Sequence, residues 1–168
     1  MSNTWVTADP HFGHWGVCKF LREDGSKLRP WDDPDSMDEA LIENWNSVVD
    51  PRDRVYVLGD LCINRRSLPT ISRCNGRKVL VKGNHDIFKL DEYTSFFDDI
   101  RAYVVMPNFK GMTKLIMSHI PIHSDSLGRF GYNVHGHLHD RAIDDERYIC
   151  VSVERTEFKP VNLDSILG

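Results

Sequence analysis

Apolar residues fall along the chain in short runs, and run after run stops at a cluster of Asp, Asn, His or Gly. Trp5-Val6-Thr7-Ala8 reads as a strand that halts at Asp9. Ser36-Met37-Asp38-Glu39 is a capping-box sequence, and Met37, Leu41, Ile42, Trp45, Val48 and Val49 then recur at three- and four-residue intervals. That spacing predicts a helix over 38–49. Arg54 to Leu58 and Lys78 to Lys82 are rich in strand formers and end at Gly59-Asp60 and Gly83-Asn84, in the manner of buried parallel strands. A short helix is expected over 90–97. Further strands are expected over 101–106, 114–117, 132–134, 148–153 and 158–161. Strands alternating with helical segments in the first half indicate an α/β protein. The second half shows no crossover helix and predicts a hairpin-rich sheet packed on the first. Gly25 to Pro34, with two prolines and adjacent aspartates, reads as a long loop of the kind that borders sites.

At 168 residues the chain fits one domain, 1–168, with no linker or internal repeat. Hydrophobic residues at 40% and charged residues at 27% are ordinary for a globular protein and exclude disorder, collagen and coiled coil. No apolar run approaches the roughly 20 residues of a membrane helix, and residues 1–20 lack a secretory core, so a cytoplasmic protein is expected. Net charge −4 gives the surface no general attraction for polyanions. Cys18, Cys62, Cys74 and Cys150 are too far apart for a thiolate zinc site and are expected to be reduced, mostly core residues.

Histidine changes the picture. Five of the eight histidines lie in polar clusters, which run in order Asp9-Pro10-His11, Gly59-Asp60, Gly83-Asn84-His85-Asp86, Ser118-His119 and Gly136-His137-Leu138-His139. Each follows a predicted strand, so the clusters should meet at the carboxyl edge of the sheets. Asp9 and His11, like His137 and His139, are two apart, and in extended backbone such residues face the same side. Glycines before Asp60, Asn84 and His137 permit sharp turns, including positive φ. Carboxylate, imidazole and amide oxygen without thiolate suit Mn²⁺, Fe or Zn²⁺. Seven such groups exceed one ion's needs, and with Asp60 bridging they divide into two sites about 3.5–4 Å apart. A given tetrapeptide such as Gly-Asn-His-Asp arises by chance in such a chain on the order of once in a thousand cases.

Those five motifs, spanning Asp9 to His139, resemble the calcineurin-like metallophosphoesterase family. Ala8 to His14 and Val55 to Asp60 look like its short bacterial and phage members. The resemblance implies a central pair of mixed β-sheets flanked by helices, the four-layer metallophosphoesterase sandwich. It implies that Asp9, His11, Asp60 and His139 hold one ion, and that Asp60, Asn84, His119 and His137 hold the other. The expected cofactors are two divalent ions, Mn²⁺ first, with Fe, Zn²⁺ or Ni²⁺ as alternatives. His85 matches the family histidine that faces substrate, and Asp86 the acid that orients it.

The function so implied is a dinuclear metal-dependent phosphoesterase that cleaves phosphodiester bonds of small or exposed phosphate substrates by attack of metal-bound hydroxide. The partner is then a small phosphorylated substrate, with nucleic acid less favoured and no membrane. A nuclease, a phosphomonoesterase and a non-catalytic scaffold of the same fold are the alternatives. Outside the motifs, His14 could touch substrate or stabilise a turn, and His123 and His135 read as structural. Arg65, in Asn64-Arg65-Arg66, could receive a phosphate oxygen, against the plainer reading of a solvated helix start. Arg29-Pro30-Trp31 could wall the substrate, or Trp31 could anchor its loop.

Overall fold

The computed structural model describes residues 2–109 and 113–166. In chain order its elements are β1 (Thr4–Thr7), α1 (Pro34–Asn46), β2 (Arg54–Val57), β3 (Arg77–Val81), α2 (Leu90–Tyr93), β4 (Asp99–Arg101), β5 (Val104–Phe109), β6 (Thr113–Ser118), α3 (Ser124–Leu127), β7 (Tyr132–His135), β8 (Tyr148–Cys150) and β9 (Val161–Asn162). They build two mixed sheets, ordered β4-β3-β2-β1-β9 and β5-β6-β7-β8. In the first, β1 to β4 run parallel and β9 joins antiparallel. In the second, β5 and β6 form an antiparallel pair, while β6, β7 and β8 run parallel.

The two-residue alternation of strands divides the apolar residues between two interiors. Val55, Val57 and Leu80 face Met37, Leu41, Ile42 and Trp45 of α1, together with Leu68 and Ile71 of the 3₁₀ segment Arg65–Arg73. Their neighbours Tyr56, Leu58, Val79 and Val81, with Val6 and Ala8, face Leu115, Met117, Val134 and Val151. The sheets therefore pack on each other, with helices outside the first. An isolated parallel bridge, Ala8 to Ser152, joins them at the edge where the parallel strands end.

Several elements differ from the sequence reading. Helix α1 begins earlier, at Pro34, because the Asp33 side chain accepts the Ser36 N–H and proline occupies the first turn without needing its missing donor. The Ser36 box is not the cap. The 90–97 helix shrinks to the single turn α2. The 101–106 strand splits into β4 and β5, which belong to different sheets, with Ala102 and Tyr103 carrying the chain across. Beyond β8 the chain turns into the 3₁₀ segment Val153–Arg155, and positive φ at Glu157 and Phe158 replaces the start of the expected last strand.

The second sheet is the main correction, since beyond the β5–β6 hairpin it is parallel. Parallel strands need crossovers, but these need not be long helices. The one-turn α3, anchored by buried Leu127, serves between β6 and β7. Among the described residues no helix is long and apolar enough to cross a membrane. Three cysteines are buried, Cys150 is half-buried, and all four are free thiols.

Candidate metal centre

Parallel direction carries the ends of β1, β2, β3, β6 and β7 to one edge, and with them all seven predicted ligand residues. The backbone there is unusual. Asp9, His11, Asp60, His137 and His139 all have positive φ, from 49° to 70°. That region is uncommon for residues with a Cβ, although Asp and His enter it more readily than most. It also corrects the expected geometry. Asp9 and His11, and His137 and His139, converge through left-handed turns and not through the alternation of an extended strand. Of the preceding glycines, Gly59 does take positive φ, at 87°. Gly83 and Gly136 serve close approach instead. A Cβ on Gly83 would strike Asp60, and one on Gly136 would lie 2.5 Å from Asp9 Oδ2.

The side chains gather into two groups, Asp9 with His11 and His139, and Asp60 with His119 and His137. In each, the potential ligand atoms lie within 4.8 Å of one another. Asn84 joins the second group, its Oδ1 lying 2.9 Å from His119 Nε2 and 3.1 Å from His137 Nδ1. Asp60 Oδ2 stands between the groups, 3.5 Å from His11 Nε2 and 3.4 Å from His119 Nε2.

Unpaired lone pairs test whether a cation fits. His119 Nδ1 donates to the Leu58 carbonyl at 2.7 Å, so in the neutral ring Nε2 is an acceptor facing two acceptor oxygens, on Asn84 and Asp60. His139 Nδ1 likewise donates to Glu154 Oε1 at 2.9 Å. Asp9 Oδ1 and both His11 ring nitrogens are buried without a hydrogen-bond partner. Acceptors facing acceptors inside a protein are costly unless a cation sits among them. Burial pushes the Asp9 carboxyl up to about 6 despite His119, His139 and Ser152. Burial would also raise Asp60, but the His119 ring, the His85 N–H and His11 outweigh it and hold the carboxyl down at about 2. The donor set, all oxygen and imidazole, fits two divalent cations.

A second layer, not anticipated from the sequence, holds the first in place. Arg29 is fully buried, donating to the carbonyls of Asp9 at 2.6 Å and Pro10 at 2.7 Å and twice to Glu154 Oε1. The same Oε1 accepts from His139, so one carboxylate links the Asp9 turn to the His139 ring. Burial would raise the Glu154 carboxyl, but Arg29 and then His139 hold it down at about 2. Ser152 Oγ donates to Asp9 Oδ2 at 2.6 Å, and the His137 N–H donates to the same oxygen at 2.8 Å. Ser152 and Glu154 follow β8 as the other site residues follow their strands, which is the signal that could have found them.

Removing one member of a buried pair leaves an uncompensated charge, so Arg29→Met is expected to cost about 3–5 kcal/mol in urea unfolding of the metal-free protein. Most of that loss should be recovered when Glu154→Met is added. A single-variant loss below about 1 kcal/mol would show that the bracket is dispensable.

Asp86 is a correction. Its carboxylate accepts the N–H groups of Asp60 (2.8 Å), Leu61 (3.0 Å) and Gly83 (2.8 Å), stapling one ligand turn to the next. Both oxygens are so occupied, and Asp86 makes no side-chain bond to His85. It positions Asp60 instead. His85 is exposed, its ring centroid 5.8 Å from that of His11, while its N–H donates to Asp60 Oδ1. His14 stands on the same side, 5.4 Å from His11 between ring centroids.

Arg65 begins the 3₁₀ segment Arg65–Arg73. Its guanidinium pairs with Glu92 at 2.7 Å and lies over the Phe88 ring. Asn64 caps the 3₁₀ segment, which agrees with the helix-start reading. Arg29 is too deep to wall a substrate, and Trp31 packs on Phe158 as a loop anchor. His123 caps α3, and His135 is buried with Nδ1 donating to the Gly136 carbonyl.

Protein MJ1445 of Methanocaldococcus jannaschii is 30% identical over 99% of this chain and 90% of its own length. The gene 66 protein of Mycobacterium phage L5 is 31% identical over 85% and 80%. The chain belongs to the family of these two proteins. No family model matches it. Among solved structures, this member of the MJ1445 and gene 66 family is similar to AQ665 from Aquifex aeolicus, a protein of unknown function, with TM-score 0.69 and 25% identity over 96% of this chain and 95% of that one. It shares its fold with an archaeal phosphodiesterase, at TM-score 0.51 and 15% identity over 89% and 82%.

Proposed function

We propose that the chain is a cytoplasmic, dinuclear metal-dependent phosphoesterase of the calcineurin-like kind, cleaving phosphodiester bonds in small substrates or in substrates that present an exposed phosphate. One observation carries the reading. Asp60 Oδ2 lies within 3.5 Å of an imidazole nitrogen from each of two His/Asp groups, where one carboxylate oxygen can serve two cations. The fold shared with an archaeal phosphodiesterase and the five sequence motifs support the same reading.

Asp9, His11, Asp60 and His139 would hold one ion, and Asp60, Asn84, His119 and His137 the other, with Mn²⁺ the first choice. Such a pair lowers the pKa of a water towards neutrality and polarises phosphoryl oxygens. The chain's own groups do the rest. Arg29, Glu154, Ser152 and Asp86 fix the ligand turns so that little reorganisation accompanies the reaction. His85, exposed at the rim, gives a proton to the leaving alkoxide or stabilises charge on the phosphoryl oxygens. His14 lies within reach of the same substrate. Arg65, engaged by Glu92, is given no role.

A diester carries one negative charge and needs no large cationic pocket, whereas a monoester dianion gains more from added arginines. With Arg29 buried and Arg65 engaged, kcat/KM for bis(p-nitrophenyl) phosphate is expected to exceed that for p-nitrophenyl phosphate at equal Mn²⁺ and pH. Preference for the monoester would move the reading to a phosphatase and leave the two-ion chemistry intact.

A further inference from the structure

Beside the metal centre lies a groove of about 430 Å³, within the size range of small-ligand sites. Asn84 and His119 are among its lining residues, so the groove borders the second ligand group. Tyr103, Ile116, Ile120 and Ile122 supply the apolar part of its lining. Tyr103 and Ile120 are 58% and 53% exposed, which leaves two large apolar side chains open to a ligand beside the His/Asp cluster.

This part of the lining is built and not incidental. Ser118 Oγ donates to the Ile120 carbonyl at 2.7 Å. The Ile122 N–H donates to Asn133 Oδ1 at 2.9 Å, and Tyr148 Oη donates to the Ile122 carbonyl at 2.9 Å. Asn133 is wholly buried, and its amide also donates to Ser118 Oγ at 2.9 Å. A buried polar network therefore presets the 120–122 segment before any ligand arrives, which lowers the ordering cost of binding. Among the described residues Lys82 is the one lysine, arginine or carboxylate residue on the lining, and its charge complements a phosphate.

We infer that this groove is the subsite for the organic substituent of the phosphoester and that it selects substrates carrying a flat aromatic group. The inference rests on the phosphoesterase reading, because it is the phosphoryl group at Asn84 and His119 that directs its substituent between Tyr103 and Ile120. The exposed Tyr103 ring offers a stacking face that an alkyl chain would use less well.

The test is binding of methyl-, octyl- and 1-naphthylphosphonate to the Zn²⁺-loaded protein by calorimetry, with amide shifts followed by NMR. Naphthylphosphonate is expected to bind about tenfold tighter than methylphosphonate, from the apolar area its rings remove from water. Its shifts should centre on Tyr103, Ile120 and Ile122. Tyr103→Ala and Ile120→Ser, both at exposed positions, should each shrink the naphthyl-to-methyl ratio towards one. Equal binding of methyl and naphthyl compounds overturns the groove alone. Octylphosphonate binding as tightly as naphthylphosphonate overturns the aromatic preference. If no phosphonate binds although the protein hydrolyses bis(p-nitrophenyl) phosphate, this inference fails and the phosphoesterase reading stands; if it neither binds phosphonates nor hydrolyses the diester, both fail.

Discussion

Asp60→Asn is expected to strip both metal sites at once. The substitution keeps the shape of the side chain, and Asn can still accept the His85 N–H, so the turn should survive. What disappears is the negative charge on the oxygen that stands 3.5 Å from His11 Nε2 and 3.4 Å from His119 Nε2. Supporting residues around metal ligands are worth about 10–100-fold in metal affinity, and a shared ligand should exceed that at both ions. Elemental analysis after reconstitution with Mn²⁺ should approach about two equivalents in the unaltered protein and fall below about one in the variant. Hydrolysis of bis(p-nitrophenyl) phosphate should drop on the order of 10⁴-fold or more, since nucleophile and electrophile are lost together. Saturation of the unaltered protein at one equivalent would sink the two-ion reading. Retention of both ions by the variant would remove Asp60 from its bridging place.

That these Asp and His residues gather at one edge was legible because each cluster follows an apolar run, and a run that stops at Gly-Asp or Gly-Asn-His-Asp marks a strand end without knowledge of the fold. The turn geometry was not. Left-handed backbone at five of the seven positions follows from the convergence of two sheets, and Asp or His in that region looks in sequence like Asp or His anywhere. Residues that support the ligands were hidden for a related reason. Asp86 binds backbone N–H groups, which leave no mark in the sequence, whereas the family resemblance implied a bond to His85. Glu154 is one of 25 acidic residues, and its link to Arg29 spans 125 positions. The parallel second sheet was missed because its crossovers carry no helical period, although the direction of β7 decides where His137 and His139 go. Asn133 shows the same limit, since an isolated asparagine within a strand gives no sign that it orders the Ile122 segment of the adjoining groove.

His85→Ala should separate catalysis from metal binding. The N–H that holds Asp60 Oδ1 at 2.9 Å belongs to the backbone and survives the substitution. The side chain is exposed and belongs to neither ligand group, so metal content should be unchanged. On the proposed reading the lost group is the one that meets the leaving oxygen, and general acid catalysis contributes about 10²–10⁴-fold. A loss of kcat of that order is expected for a diester with a poor leaving group such as an alkoxide. With p-nitrophenolate, which departs without protonation, the loss should be much smaller if His85 acts as an acid. It should stay large if His85 stabilises charge on the phosphoryl oxygens. The comparison of two leaving groups thus decides between the roles, with elemental analysis as the control. Loss of the metals along with the side chain would make His85 a ligand, and an unchanged kcat on both substrates would take it out of the reaction.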